Sequence, residues 1–159
     1  MLPNIFGLLF IILLSACSGG DETGPVDVRF DRDSCDQCRM VLSDPAFVAE
    51  IRYFPPGKRS KVAKFDDIGC TVNWLVDKPW ATDSKTEIWV ADHRTKKWID
   101  ARTATYVSVS STPMDFGLGA QSDPAPEGLD FAQAKEKIRA VGHRFNEHGL
   151  QLHKQPASE

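Results

Sequence analysis

Phe47-Val48-Ala49-Glu50-Ile51-Arg52-Tyr53, then Pro55-Pro56-Gly57, then Lys61-Val62-Ala63-Lys64-Phe65-Asp66 is the stretch that decides the fold. Its first part alternates, with Phe47, Ala49, Ile51 and Tyr53 on one face and Glu50 and Arg52 on the other, which predicts a half-buried strand. Pro-Pro-Gly is a turn, and 61–65 returns as the hairpin partner. Asp66 then reads as a helix N-cap. Ile68, Val72, Leu75 and Val76 follow at helical spacing, and Lys78-Pro79 ends that helix. Downstream, Glu87–Ala91 and Lys97–Asp100 read as strands around the turn Asp92-His93-Arg94-Thr95. Tyr106–Ser110 alternates again, with Tyr106, Ser108 and Ser110 opposite Val107 and Val109, until Ser111-Thr112-Pro113 breaks it. Leu118–Gln121 is a further short strand. Asp130 caps a second helix whose inner face carries Phe131, Ala134, Ile138 and Val141. Strands and single helices interspersed predict an α+β domain with a mostly antiparallel sheet and a few helices. No repeat of 20–50 residues is present.

Upstream of this domain the chain changes character. Ile5 to Leu14 is a continuous apolar run. It falls well short of the about 20 residues a spanning helix needs, and it has the length of a signal-peptide core. Leu14-Ser15-Ala16-Cys17 ends it as a lipoprotein cleavage box, although the leading Met1-Leu2-Pro3-Asn4 carries no Lys or Arg. The expected organisation is a signal peptide over 1–16 and a lipid-anchored flexible tether over 17–25, with lipid on Cys17. A single domain over 26–152 and a polar tail over 153–159 complete it. Ser18, not aspartate, follows the lipidated cysteine, so nothing argues for retention at an inner membrane. The expected location is a membrane face in the periplasm, the outer membrane where one exists. A net charge of −3 gives no electrostatic case for nucleic acid.

Chemistry concentrates in Cys35-Asp36-Gln37-Cys38-Arg39-Met40. Two thiols and a thioether within six residues favour a soft metal such as Cu(I). In an extended segment Cys38 and Met40 would leave on one face. A thioether forms no disulfide and needs no deprotonation, so it survives as a ligand in an oxidising space. Met114, in the Pro-containing loop after a strand, is expected to fold over the cysteine loop and close the site. With Cys17 lipidated, Cys35, Cys38 and Cys70 are an odd set, which means a free thiol, an intermolecular bond or a metal. Other readings stay open. The C-x-x-C pair fits a plain disulfide or a thiol–disulfide oxidoreductase. Arg39 stands where haem attachment needs histidine, and no second C-x-x-C completes a zinc site with Cys70. Asp66 and Asp67 read first as a cap and a first-turn acid, and Cys70 as a buried core thiol; all three are accessory candidates for a metal. His93 is a turn residue. His143, His148 and His153, five apart, share no face and read as solvated. Trp74, Trp80, Trp89 and Trp98 read as core and rim.

The cysteine cluster resembles the C-x-x-C-x-M signature of the NosL family. Phe65-Asp66-Asp67-Ile68-Gly69 is similar to that family's F-D-D-I-G segment. Trp89-Val90-Ala91-Asp92 and Trp98-Ile99-Asp100-Ala101 resemble its W-V-x-D and W-I-D-A strands. Ala104-Thr105-Tyr106-Val107 and Pro113-Met114 follow in its order. The resemblance runs from about Asp31 to Ala120. It implies a membrane-anchored Cu(I) carrier without catalytic turnover that supplies nitrous-oxide reductase or another copper acceptor, with a copper-exporting membrane protein as donor. It also implies a fold similar to organomercurial lyase, which by analogy alone raises carbon–mercury cleavage as a further reading. The ligands it implies are Cys35, Cys38, Met40 and Met114. Two positions depart from the pattern. Arg39 and Asp115 stand where many members have glycine.

Overall fold

In the computed structural model, residues 23–152 are described; the expected signal peptide, most of the tether and the polar tail lie outside them. The elements are β1 (Ala49–Tyr53), β2 (Lys61–Phe65), α1 (Ile68–Leu75), β3 (Glu87–Ala91), β4 (Trp98–Asp100), β5 (Thr105–Ser108), β6 (Leu118–Gln121) and α2 (Phe131–Leu152). An antiparallel sheet runs β2-β1-β3-β4, and β5 pairs with β6 antiparallel beside it. The fold is α+β, as the order of elements predicts. The two sheets meet where the His93 N–H donates to the Ala120 carbonyl at 2.8 Å. No helix of the described residues is long and apolar enough to cross a membrane.

The hairpin forms as predicted, with Ile51 opposite Ala63 and the turn closed by the Lys58 N–H on the Pro55 carbonyl. The half-buried reading of β1 is wrong. Glu50 is fully buried and Arg52 nearly so. The cause is tertiary: β1 lies second in the sheet, and residues 24–27 cross its other face. The Gly24 N–H donates to Glu87, the Val26 N–H donates to Glu50 Oε2 at 2.8 Å, and Arg52 Nε donates to the Gly24 carbonyl. Gly24 and Pro25, read as the end of a tether, are thus tied to the sheet.

Asp66 is not the helix cap. Asp67 is, with extended backbone and a carboxylate that accepts from the Cys70 N–H at 2.9 Å. The helix ends at Leu75, one residue before the predicted last apolar position, because Val76 turns out to extended backbone and is 47% exposed. On the other flank α2 seats Ala134 and Ile138, both fully buried, as its periodicity predicts. Tyr106 is buried and donates its hydroxyl to the Ala101 carbonyl at 2.7 Å; Ser108, predicted on the same face, is exposed at the strand end. Tyr53, Phe65, Trp74 and Trp80 form an aromatic cluster, with Tyr53 stacked on Trp80 at 4.5 Å. The four tryptophans are half-buried, so they are rim and not core.

Candidate metal centre

Three separate elements build the site. The first is a tight hairpin, 34–41, closed by a Ser34–Val41 bridge and by the Cys35 N–H on the Met40 carbonyl at 2.8 Å. Arg39 turns it, at φ +69°. The hairpin hangs on the outer edge of β2. The Asp36 N–H donates to the Lys64 carbonyl, and the Lys64 N–H donates back to the Asp36 carboxylate, both at 2.8 Å. The Lys64 ammonium meets Asp33 at 2.6 Å, which holds the Asp33 carboxyl down at about 2. The second element is the β2–α1 junction, which carries Asp66 and, one turn on, Cys70. The third is the loop 111–117. Its Thr112 hydroxyl and Met114 N–H both donate to Asp67 Oδ2.

Cys35, Cys38, Cys70 and Asp66 converge so that one ligand atom from each lies within 4.8 Å of all the others. The three thiols are free. Cys35 and Cys70 are buried and Cys38 half-buried, so Cys38 is the sulfur that meets solvent. Cys38 donates its thiol to Asp66 Oδ2 at 3.0 Å, while the other Asp66 oxygen is buried with no partner among the described residues. The thiols are not equivalent. The Cys70 thiol hydrogen bond brings Cys35 down to about 7, against the opposing effect of burial, with the Cys38 N–H helping. Burial and the Asp66 carboxylate push Cys38 up to about 12. Cys70 is raised further, because its S–H donates a hydrogen bond to Cys35 and because it is buried. Cys35 is therefore the thiol of the cluster nearest to ionisation at neutral pH, and Cys38 holds its proton more firmly.

The sequence-predicted residues are placed unequally. Cys35 and Cys38 lie in the cluster. Cys70, read first as a core thiol, lies beside them, as does Asp66. Asp67 has both oxygens taken by protein donors and serves as helix cap and loop latch. The segment from Cys38 to Met40 is not extended, because Arg39 is left-handed. Met40 is 54% exposed and lines a cleft of about 530 Å³ with Ser111–Pro113 opposite and Asp66 within. The 111–114 loop does come up beside the cysteine loop. Met114 itself is half-buried against the core and bound to Asp67 through its backbone. His93 sits in its turn, and the other histidine side chains lie outside the described ones. Another groove, about 600 Å³ between α1 and α2, has no thiol in its lining.

The family model for NosL matches residues 25–124, most of the chain and all of the site. The chain belongs to the NosL family. The crystal structure of the copper chaperone NosL from Shewanella denitrificans is similar at 19% identity, covering 76% of this chain and 88% of that one, with a TM-score of 0.49. No curated relative matches the sequence. The NosL match ends before α2, so that helix packs onto the family's domain from outside the matched stretch.

Proposed function

We propose that this NosL-family protein is a copper chaperone that carries Cu(I) and passes it on without catalytic turnover. The observation that carries the reading is the convergence of three free thiols and a buried carboxylate with an unpartnered oxygen. A soft thiolate-rich set suits Cu(I). Cys35 supplies a thiolate near neutral pH, and Cys38 gives up its proton as the metal arrives. Cys70 and Asp66 complete the enclosure, Met40 offers a thioether at the open side, and Met114 is the further thioether candidate on the loop that Asp67 latches. The cargo is then held by buried sulfurs at the back and by the half-exposed Cys38 at the front, where an acceptor's ligand can replace it.

Lipid on Cys17 would keep the carrier at a membrane facing the periplasm. The acceptor we propose is nitrous-oxide reductase or another copper protein, with a copper-exporting membrane protein as donor. The oxidoreductase alternative draws support from the low value of Cys35. It is opposed by that sulfur's complete burial, since thiol exchange needs the reactive thiolate to be accessible.

The test is an anaerobic Cu(I) titration of the full chain in mild detergent against a chromophoric chelator. Cys38→Ser and Met114→Leu are compared with wild type. One-to-one binding that weakens about tenfold or more in both, about 1.4 kcal/mol each, supports the carrier with Met114 as a ligand. Loss in Cys38→Ser alone returns Met114 to packing. If the wild type holds no copper against the chelator, the reading fails.

A further inference from the structure

Among the described residues, three large hydrophobic side chains are exposed: Met40, Val41 and Val76. Two of them are consecutive and form one lip of the cleft beside the thiols. Single exposed apolar residues are ordinary; here two stand side by side at the mouth of a cleft. Phe47 continues this wall, and Pro113 faces it from the other lip. That second lip is fixed in place by Asp67. Asp66 is part of the lining, and its carboxylate accepts the Cys38 thiol at 3.0 Å, so the cleft ends one hydrogen bond from the half-buried thiol of the cluster.

Charge defines the occupant. Asp44 and Asp66 are the ionisable groups of the lining, and no cation joins them. Arg39, the cation of the cysteine loop, faces Asp36 at 3.7 Å. Exposed Asp115 follows the second lip. An anionic bilayer is a poor match for such a surface. At about 530 Å³ the cleft is within the about 300–1,000 Å³ of ligand clefts. It admits a few side chains and excludes a folded domain.

We infer that this cleft is where the copper acceptor docks, through a cationic polypeptide segment that presents a methionine or histidine toward Cys38. The inference rests on the chaperone reading above. Ligand exchange requires the incoming atom to arrive before the old one leaves, and the route must end at Cys38 because Cys35 and Cys70 are covered. A lysine or arginine of the segment meets Asp44, and its thioether or imidazole lies along Val41, Phe47 and Pro113. Opposite charge speeds the encounter and sets the orientation.

The probe is an acetylated, amidated peptide, Lys-Met-Gly-Lys-Met, with Glu-Met-Gly-Glu-Met as its control. Each is added to the full chain in non-ionic detergent. Amide shifts are mapped on the metal-free protein, and Cu(I) transfer is followed by stopped flow on the loaded one. Asp44→Lys and Val41→Glu alter exposed lip residues outside the thiol cluster. Expected are shifts confined to 38–47, Asp66 and 111–112, transfer at least tenfold faster to the basic peptide than to the acidic one at low salt, and at least a tenfold loss in Asp44→Lys with Cu(I) affinity unchanged. Equal rates for the two peptides, wild-type transfer by both variants, or shifts elsewhere would overturn the docking site. If the wild type holds no Cu(I), the chaperone reading falls. The shift map of the metal-free protein then decides the cleft alone: shifts within it keep a cationic-peptide site, and their absence removes it.

Discussion

Arg39 holds φ at +69° and Asp115 at +58°, the two positions where the family pattern favours glycine. The loops therefore keep the glycine geometry with side chains that pay for it, Arg39 more than Asp115, since aspartate tolerates the left-handed region better. The exposed Arg39–Asp36 pair returns little. Arg39→Gly should raise stability by about 0.5–1 kcal/mol, after allowing for the added freedom of the unfolded chain, read as a higher urea midpoint at unchanged slope. A buried acid on β1 gives a second expectation. Burial raises the Glu50 pKa, opposed by the hydrogen bond from Val26. Folding thus favours its protonated form. Its contribution is full below the unfolded value of about 4.3 and is lost as pH rises through the folded one. Glu50→Gln should therefore gain stability over wild type at pH 7 and none near pH 4, by thermal melts across that window.

At the scale of elements, α1 is the joint between site and core. It begins on Asp67, carries Cys70 in its first turn and packs Gly69 against Phe116, so closely that an added Cβ would lie 2.1 Å from the ring. Phe116 belongs to the loop that Asp67 latches. Gly69→Ala should cost about 1–3 kcal/mol by overpacking and, by pushing that loop outward, weaken Cu(I) binding, measured by urea unfolding and chelator competition. Asp67→Ala should cost about 2–3 kcal/mol, a cap plus donors left unpaired. Much of this layer is legible in the sequence, because it depends on neighbours along the chain. The 49–53 and 61–65 strands, the helix after Asp67 and the inner face of α2 follow from local periodicity and turn chemistry. What is not legible depends on distant segments. Nothing in Glu50 or Arg52 announces that residues 24–27 will cover them. Cys70 reads as core because its partner in space, Cys35, is far away in the chain. One local signal does place it: an N-cap at Asp67 puts Cys70 at the third helical position, beside the residues that precede the cap.

Taken whole, the molecule gathers its thiols and a buried carboxylate at one end of its sheet. Were Cu(I) held by the thiolates of Cys35 and Cys38 with Cys70 left protonated, it would displace one thiol proton above the Cys35 value of about 7, that of Cys38 at about 12, and below it a second from Cys35. Affinity should then rise with pH by about tenfold per unit between about pH 8 and 10, and by about a hundredfold per unit below about pH 6, read by competition at each pH. The same end of the sheet has another feature. Among the described residues β2 pairs with a strand on one side only, and its outward N–H and C=O at Lys64 are taken by Asp36 of the cysteine hairpin. Open strand edges are templates for pairing with other chains. The loop that would grip the metal is thus also the guard of that edge. Damage to the hairpin would free a strand to stick to its neighbours, so loss of cargo and loss of solubility would come from a single lesion.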